Sequence, residues 1–130
     1  MRRIIIDTNF LMVPWQFRVD IFSEIRRICD FNYELFIFEQ TISELKNIME
    51  KSSGKGKKAA QFALKLIKLT NIQIIESEKK DVDSLILKNA DVSDIIATQD
   101  THLKTELIKK KISVIILRQK KYLMLIERRY

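Results

Sequence analysis

Four acidic side chains hold the chemical potential of this sequence: Asp7, Glu44, Asp83 and Asp100. Singly, each has a structural explanation. Asp7 follows the run Ile4-Ile5-Ile6 and could cap whatever comes next. Glu44 stands three residues after Thr41, the spacing of a capping box. Asp83 falls in a first helical turn, where the macrodipole favours an anion, and Asp100 suits an N-cap. Jointly, all four fall at strand ends or in first turns, and in a right-handed α/β fold those places share one edge. Carboxylates gathered there repel one another and need a cation. Oxygen donors predominate, because the chain has one cysteine, Cys29, and one histidine, His102. Zinc is therefore disfavoured, and Mg²⁺ or Mn²⁺ is the expected ion. His102 reads as a surface residue. Hard cations keep waters that a phosphate can displace, so such a rim is equipped for phosphodiester hydrolysis.

The elements that must position these acids follow from periodicity. Ile4 to Ile6 are β-branched and predict a strand buried on both faces, as in the middle of a parallel sheet. Asp7 then stands at the C-terminal rim, where open α/β sheets bind ligands. Pro14 interrupts any helix over 10–19, which reads as a connection with outward-facing apolar residues. Exposed Pro14, Trp15 and Phe17 would offer a homodimer surface. Asp20 caps a helix to about residue 30, with Ile21, Ile25 and Ile28 on one face. Residues 35–38 predict a strand and 41–50 a helix with Ile42, Leu45 and Met49 inward. Residues 52–56, Ser-Ser-Gly-Lys-Gly, form a loop without the spacing of a P-loop. Helices over 57–70, 79–90 and 100–110 alternate with strands over 72–75, 94–98 and 114–117, and the tail 122–130 is open to either state. The pattern predicts a single α/β domain over 1–130. It would be a three-layer sandwich with a central, mostly parallel sheet of about five strands between helices.

Composition narrows the partners. The 130 residues are 46% hydrophobic with only 2 Gly and 1 Pro, which argues against disorder. One cysteine excludes an intrachain disulfide and fits a reducing cytoplasm. No apolar run is long enough for a signal segment or a membrane span. The net charge of +7 is segregated: residues 1–50 sum to −2, 51–75 to +6, 76–100 to −4 and 101–130 to +7. Basic flanks beside an acidic centre suit a polyanionic partner. The candidate contacts are Lys55, Lys57 and Lys58 after the loop and Arg118, Lys120 and Lys121 after the last core strand.

Taken in order, Asp7-Thr8-Asn9, Ile42-Ser43-Glu44-Leu45, Val82-Asp83-Ser84-Leu85-Ile86 and Ala97-Thr98-Gln99-Asp100 resemble the acidic motifs of PIN-domain ribonucleases. The resemblance covers nearly the whole chain. Residues 7–11, 19–22, 97–100 and 114–118 look like the archaeal relatives of eukaryotic ribosomal-RNA-processing PIN proteins, and less like toxin–antitoxin members. Many members of that branch have a second acid where Ser84 stands. The resemblance implies a parallel sheet flanked by helices, single-stranded RNA (precursor ribosomal RNA included) as substrate, and a metal-activated water. Its products would carry a 3′-hydroxyl and a 5′-phosphate. Asp7, Glu44, Asp83 and Asp100 carry over as catalytic metal-site residues. Asn9 and Thr98 match polar positions that orient water or a carboxylate.

Other classes compete. The same fold could be an RNA-binding scaffold with feeble or no cleavage, or a toxin-type PIN ribonuclease. Chelator-sensitive, Mn²⁺-stimulated cleavage of unstructured RNA separates an enzyme from a scaffold. A phosphatase with Asp7 as covalent nucleophile would need an Asp two residues on, in the manner of haloacid dehalogenases, and Asn9 stands there.

Overall fold

The computed structural model describes residues 1–127. Six strands form one sheet: β1 (Arg2–Ile6), β2 (Tyr33–Phe38), β3 (Ile72–Ile75), β4 (Ile95–Ala97), β5 (Ser113–Arg118) and β6 (Tyr122–Ile126). Their spatial order is β3-β2-β1-β4-β5-β6. The first five run parallel and β6 returns antiparallel along β5. The expected parallel sheet of about five strands is thus present, with a sixth supplied by the tail. Residues 128–130 of that tail lie outside the described residues.

β1 lies inside the sheet and is buried on both faces, as three successive isoleucines predict. Period two sends Ile4 and Ile6 to one side and Ile5 to the other. On the first side they meet α2 (Ile21–Ile28), α3 (Glu39–Lys51) and α4 (Gly54–Leu69) through Ile21, Ile25, Leu45, Ala60 and Ala63. On the second, Ile5 meets α5 (Val82–Asn89) and α6 (Thr101–Lys109) through Val82, Leu85, Ile86, Leu103 and Leu107. The three-layer sandwich follows from those two contacts.

Three segments differ from expectation. Residues 10–19 are not an outward-facing connection. A 3-10 turn, Asn9–Met12, leads into a short helix, α1 (Val13–Phe17), and Phe10, Leu11 and Val13 are fully buried. Pro14 sits in the first turn of α1, where its missing N–H has no intrahelical partner to lose. Pro14, Trp15 and Phe17 are half-buried, not exposed. The second difference is at Thr41. α3 begins at Glu39, directly after β2 and with Phe38 as its N-cap, so Thr41 lies inside the helix and forms no capping box with Glu44. Likewise α4 begins at Gly54, which adopts φ +60, and Lys55, Lys57 and Lys58 belong to a helix instead of a loop.

Ile5 connects β1 to the α5–α6 layer without touching the rim. Ile5→Ala should cost about 2–5 kcal/mol. Denaturant unfolding would show this as a lower midpoint at unchanged slope.

Candidate active site

Parallel register places the C-terminal ends of β1, β4 and β5 on one edge. Ile6 pairs with Ala97, and Ala97 with Ile115. Asp7 and Thr98, one residue further on, are therefore neighbours. The Asp7 N–H donates to the Ala97 carbonyl at 2.9 Å. The Thr98 hydroxyl donates to Asp7 Oδ2 at 2.7 Å and accepts from the Asp100 N–H at 3.0 Å. Asp7 Oδ1 accepts from the Thr8 N–H at 2.8 Å. The Thr8 hydroxyl donates to Glu44 Oε1 at 2.6 Å, and Glu44 Oε2 accepts from the Val82 N–H at 2.9 Å. One chain of hydrogen bonds thus links β4, β1, α3 and the start of α5. Asp100 also caps α6 through the Leu103 N–H at 3.0 Å. Asp83 stands in the first turn of α5, whose cap is Asp81.

These acids also act on one another electrostatically. Asp7 is 3% exposed, and burial raises its pKa from 3.8 to about 7. Asp83 and Glu44 push it up further, while the Thr98 hydroxyl and the Thr8 N–H pull it down. Asp83 rises from 3.8 to about 6, first through burial, then through the charge of Asp100 and a hydrogen bond with it. Glu44 and Asp81 add to that. All four acids named from sequence therefore share one electrostatic neighbourhood.

Their donor chemistry fits a hard divalent cation: carboxylate oxygens, net negative, with no thiolate and with His102 exposed. As they stand, no three His, Cys, Asp or Glu groups among the described residues are gathered into a cage. Glu44 and Asp7 have both oxygens occupied by N–H and hydroxyl donors, and Asp83 and Asp100 face each other. Burial first, and then the neighbouring acids, favour the protonated forms of Asp7 and Asp83.

The remaining candidates divide. Thr98 orients Asp7 as expected. Asn9 makes no such bond; its Oδ1 is buried without a partner among the described residues. Thr8 and Val82, which hold Glu44, were not singled out; only their position inside the motifs marked them. Ser84 is turned to Asp81, to which its hydroxyl donates at 2.9 Å. Arg118, at the end of β5, and Lys120 and Lys121, on the turn between β5 and β6, are exposed at the same sheet edge as the acids. Lys120 Nζ lies 5.9 Å from the centre of the Phe17 ring. Lys58 instead lines a hollow with Trp15, Gln61, Phe62 and Lys65, and Lys55 and Lys57 are exposed beside it in sequence. No bond joins those three lysines to the acids.

Comparison with known proteins gives the same frame. The sequence profile of the family described as a PIN like domain matches residues 4–120. Ribonuclease VapC4 of Methanocaldococcus jannaschii is 32% identical over 124 residues, covering 94% of this chain and 95% of that protein. Ribonuclease VapC9 of Archaeoglobus fulgidus is 30% identical over 118 residues, covering 90% and 84%. Among solved structures, the PIN domain endonuclease Utp24 superposes with a TM-score of 0.77 at 18% identity, covering 97% of this chain and 92% of that one. At that identity the likeness is one of fold.

Asp7 makes stability pH-dependent in a stated direction. Between about pH 4 and 7 the folded chain holds a proton on Asp7 that the unfolded chain has lost. The metal-free protein should therefore gain stability as pH falls through about 7. The gain from Asp7 alone should be about 2 kcal/mol between pH 8 and 5.5. Thermal unfolding in chelator, wild type against Asp7→Asn, measures it; parallel pH responses would show that Asp7 is not the group.

Proposed function

This chain belongs to the PIN like domain family, and from that premise we propose that it is a metal-dependent endoribonuclease. It would hydrolyse single-stranded RNA at the rim made by Asp7, Glu44, Asp83 and Asp100. One observation carries this: Asp7 is buried at the C-terminal edge of a parallel sheet, forms no ion pair with a described residue, and has Glu44 and Asp83 as charged neighbours, with Asp100 against Asp83. A purely structural role gives little reason for charge at Asp7, because an amide could accept from the Thr8 N–H and donate to the Thr98 hydroxyl without the repulsion.

The chain's own residues do the positioning. Thr8 and Thr98 each hold one oxygen of Asp7, which fixes the plane of its carboxylate. Thr8 and the Val82 N–H do the same for Glu44. Asp83 and Asp100 are close enough to share a proton, and so complete a set of carboxylates able to hold Mg²⁺ or Mn²⁺. Such an ion lowers the pKa of water and offsets charge building on phosphorus. Hydrolysis forms a bond from the water oxygen to phosphorus and breaks that to the 3′-oxygen, leaving a 3′-hydroxyl and a 5′-phosphate. The motif likeness to ribosomal-RNA-processing members supports precursor ribosomal RNA as the substrate.

The test is cleavage of unstructured RNA and of precursor ribosomal RNA with Mn²⁺, with chelator, and by Asp7→Asn. Chelator should abolish cleavage, and Asp7→Asn should slow it at least about a hundredfold while the fold is kept. Wild-type rates in the variant would remove Asp7 from the site. Binding without cleavage in the wild type would favour the scaffold.

The hairpin cations supply a second test. Neutralising Arg118, Lys120 and Lys121 together should weaken binding to all single-stranded RNAs alike. It should also flatten the salt dependence by about 0.7 in slope per lost contact. Neutralising Lys79, Lys80 and Lys88 should do less, since Lys80 and Lys88 already pair with Glu78 at 3.6 and 2.8 Å. An unchanged slope for the Arg118 set would make that turn a solvated face only.

A further inference from the structure

Beside Asp100, the C-terminal ends of β4 and β5 leave a pocket of about 160 Å³. Thr98, Gln99, Thr101, Lys104, Ile116 and Leu117 line it. It lies on the same sheet edge as the acids, on the side of the β5–β6 hairpin. Lys104 is one helical turn beyond Asp100, about 6 Å along α6.

Lys104 differs from its fellows. Among the described lysines it alone is half-buried; the others are exposed. Its ammonium forms no hydrogen bond or ion pair with a described residue. A lysine can cover its aliphatic stem and keep its ammonium in water, so this head group remains available to an anion at the pocket. The Gln99 amide and the Thr101 hydroxyl, on the same wall, also make no side-chain hydrogen bond with a described residue. The Thr98 hydroxyl, by contrast, is already engaged with Asp7 and Asp100. A cation and two uncharged donors around one small pocket match a phosphate group. No aromatic ring lines the pocket, so it offers no stacking surface for a base.

Resting on the nuclease function above, we propose that this pocket is a subsite for the phosphate adjacent to the scissile one, with Lys104 as its cation. It would set the register of the strand, so that the next phosphate falls among Asp7, Asp83 and Asp100. The simpler alternative is that Lys104, four residues after Asp100, only tempers the charge of the rim.

A phosphate walk separates the two. RNA carrying a single methylphosphonate, neutral at one phosphate, is cleaved by wild type, Lys104→Ala and Lys104→Gln, with the substituted position moved across the cut. Both variants should lose about tenfold in kcat/KM on unmodified RNA. Neutralising the adjacent phosphate should cost wild type a similar factor and the variants almost nothing more, while other positions stay additive. Additivity at every position, or unchanged kcat/KM in both variants, overturns the subsite and leaves the nuclease standing. If wild type cleaves no RNA, the nuclease falls and the subsite with it.

Discussion

The structure depends on a single constraint: a strand buried on both faces ends in a carboxylate. β1 is covered by α2–α4 on one side and α5–α6 on the other, so its last residue cannot escape into solvent. Asp7 is accordingly 3% exposed, and its charge is opposed by burial before any neighbour is counted. Two threonines answer that cost with a hydroxyl and an N–H, but neither supplies positive charge. The Thr98–Asp7 bond ties β4 to β1, and the neighbouring bond from the Val82 N–H to Glu44 ties α5 to α3. Positioning the acids and closing the fold at this edge are therefore one set of interactions.

Positive charge sits near the rim without entering it. The chain carries +7, yet neither Asp7 nor Asp83 forms an ion pair with a described residue, and the largest influences on both are burial, other acids and hydrogen bonds. The opposite end of β1 shows the usual solution to a buried acid. There Asp94, 2% exposed, receives two hydrogen bonds at 2.9 Å from Arg3. A chain that can pair one buried aspartate with arginine leaves another, at the other end of the same strand, without one. That contrast separates a carboxylate that closes a structure from one kept available.

Much of this was legible in sequence, and the losses have physical causes. Runs of β-branched or aromatic apolar residues marked five strands, apolar residues at helical spacing marked most helices, and Asp100 marked the start of α6. Pro14 misled because a proline stops a helix only from its interior, whereas α1 takes it in the first turn. α3 has no side-chain cap, so only three-dimensional continuity from β2 reveals its start. The β5–β6 hairpin lacks the Asn or Gly its turn favours. Gln119 and Lys120 adopt φ 52 and 55, and a non-glycine residue there costs about 1–2 kcal/mol. That strain is offset from afar: Glu24 Oε1 accepts from the Leu123 N–H at 2.9 Å, and Arg27 donates to the Leu123 carbonyl at 3.2 Å. The four acids were found by their places at strand ends and first turns. Thr8 and the Val82 N–H were missed, because their role appears only when residues 36 and 38 apart in sequence to Glu44 meet.

Ser84 bears on how many charges the rim can hold. Its hydroxyl donates to Asp81 and its N–H does likewise, which completes the cap of α5 and holds the Asp81 carboxyl below its ordinary pKa. Asp83, two residues on, is pushed the other way by burial and by Asp100. The two aspartates at this helix start are thereby separated in function. Asp81 stays charged at the surface as a cap, and Asp83 is drawn among the inner acids. An aspartate at 84 would have no hydroxyl to donate to Asp81 and would add repulsion beside Asp81 and Asp83. With serine there, the rim is limited to Asp7, Glu44, Asp83 and Asp100, and Glu44 is the member most fully engaged by protein donors. The acids least held by other contacts are Asp83 and Asp100, and Asp100 stands in sequence between Gln99 and Thr101, which line the pocket that contains Lys104. Charge demand and substrate access therefore converge on the β4–α6 side of the edge, away from α3.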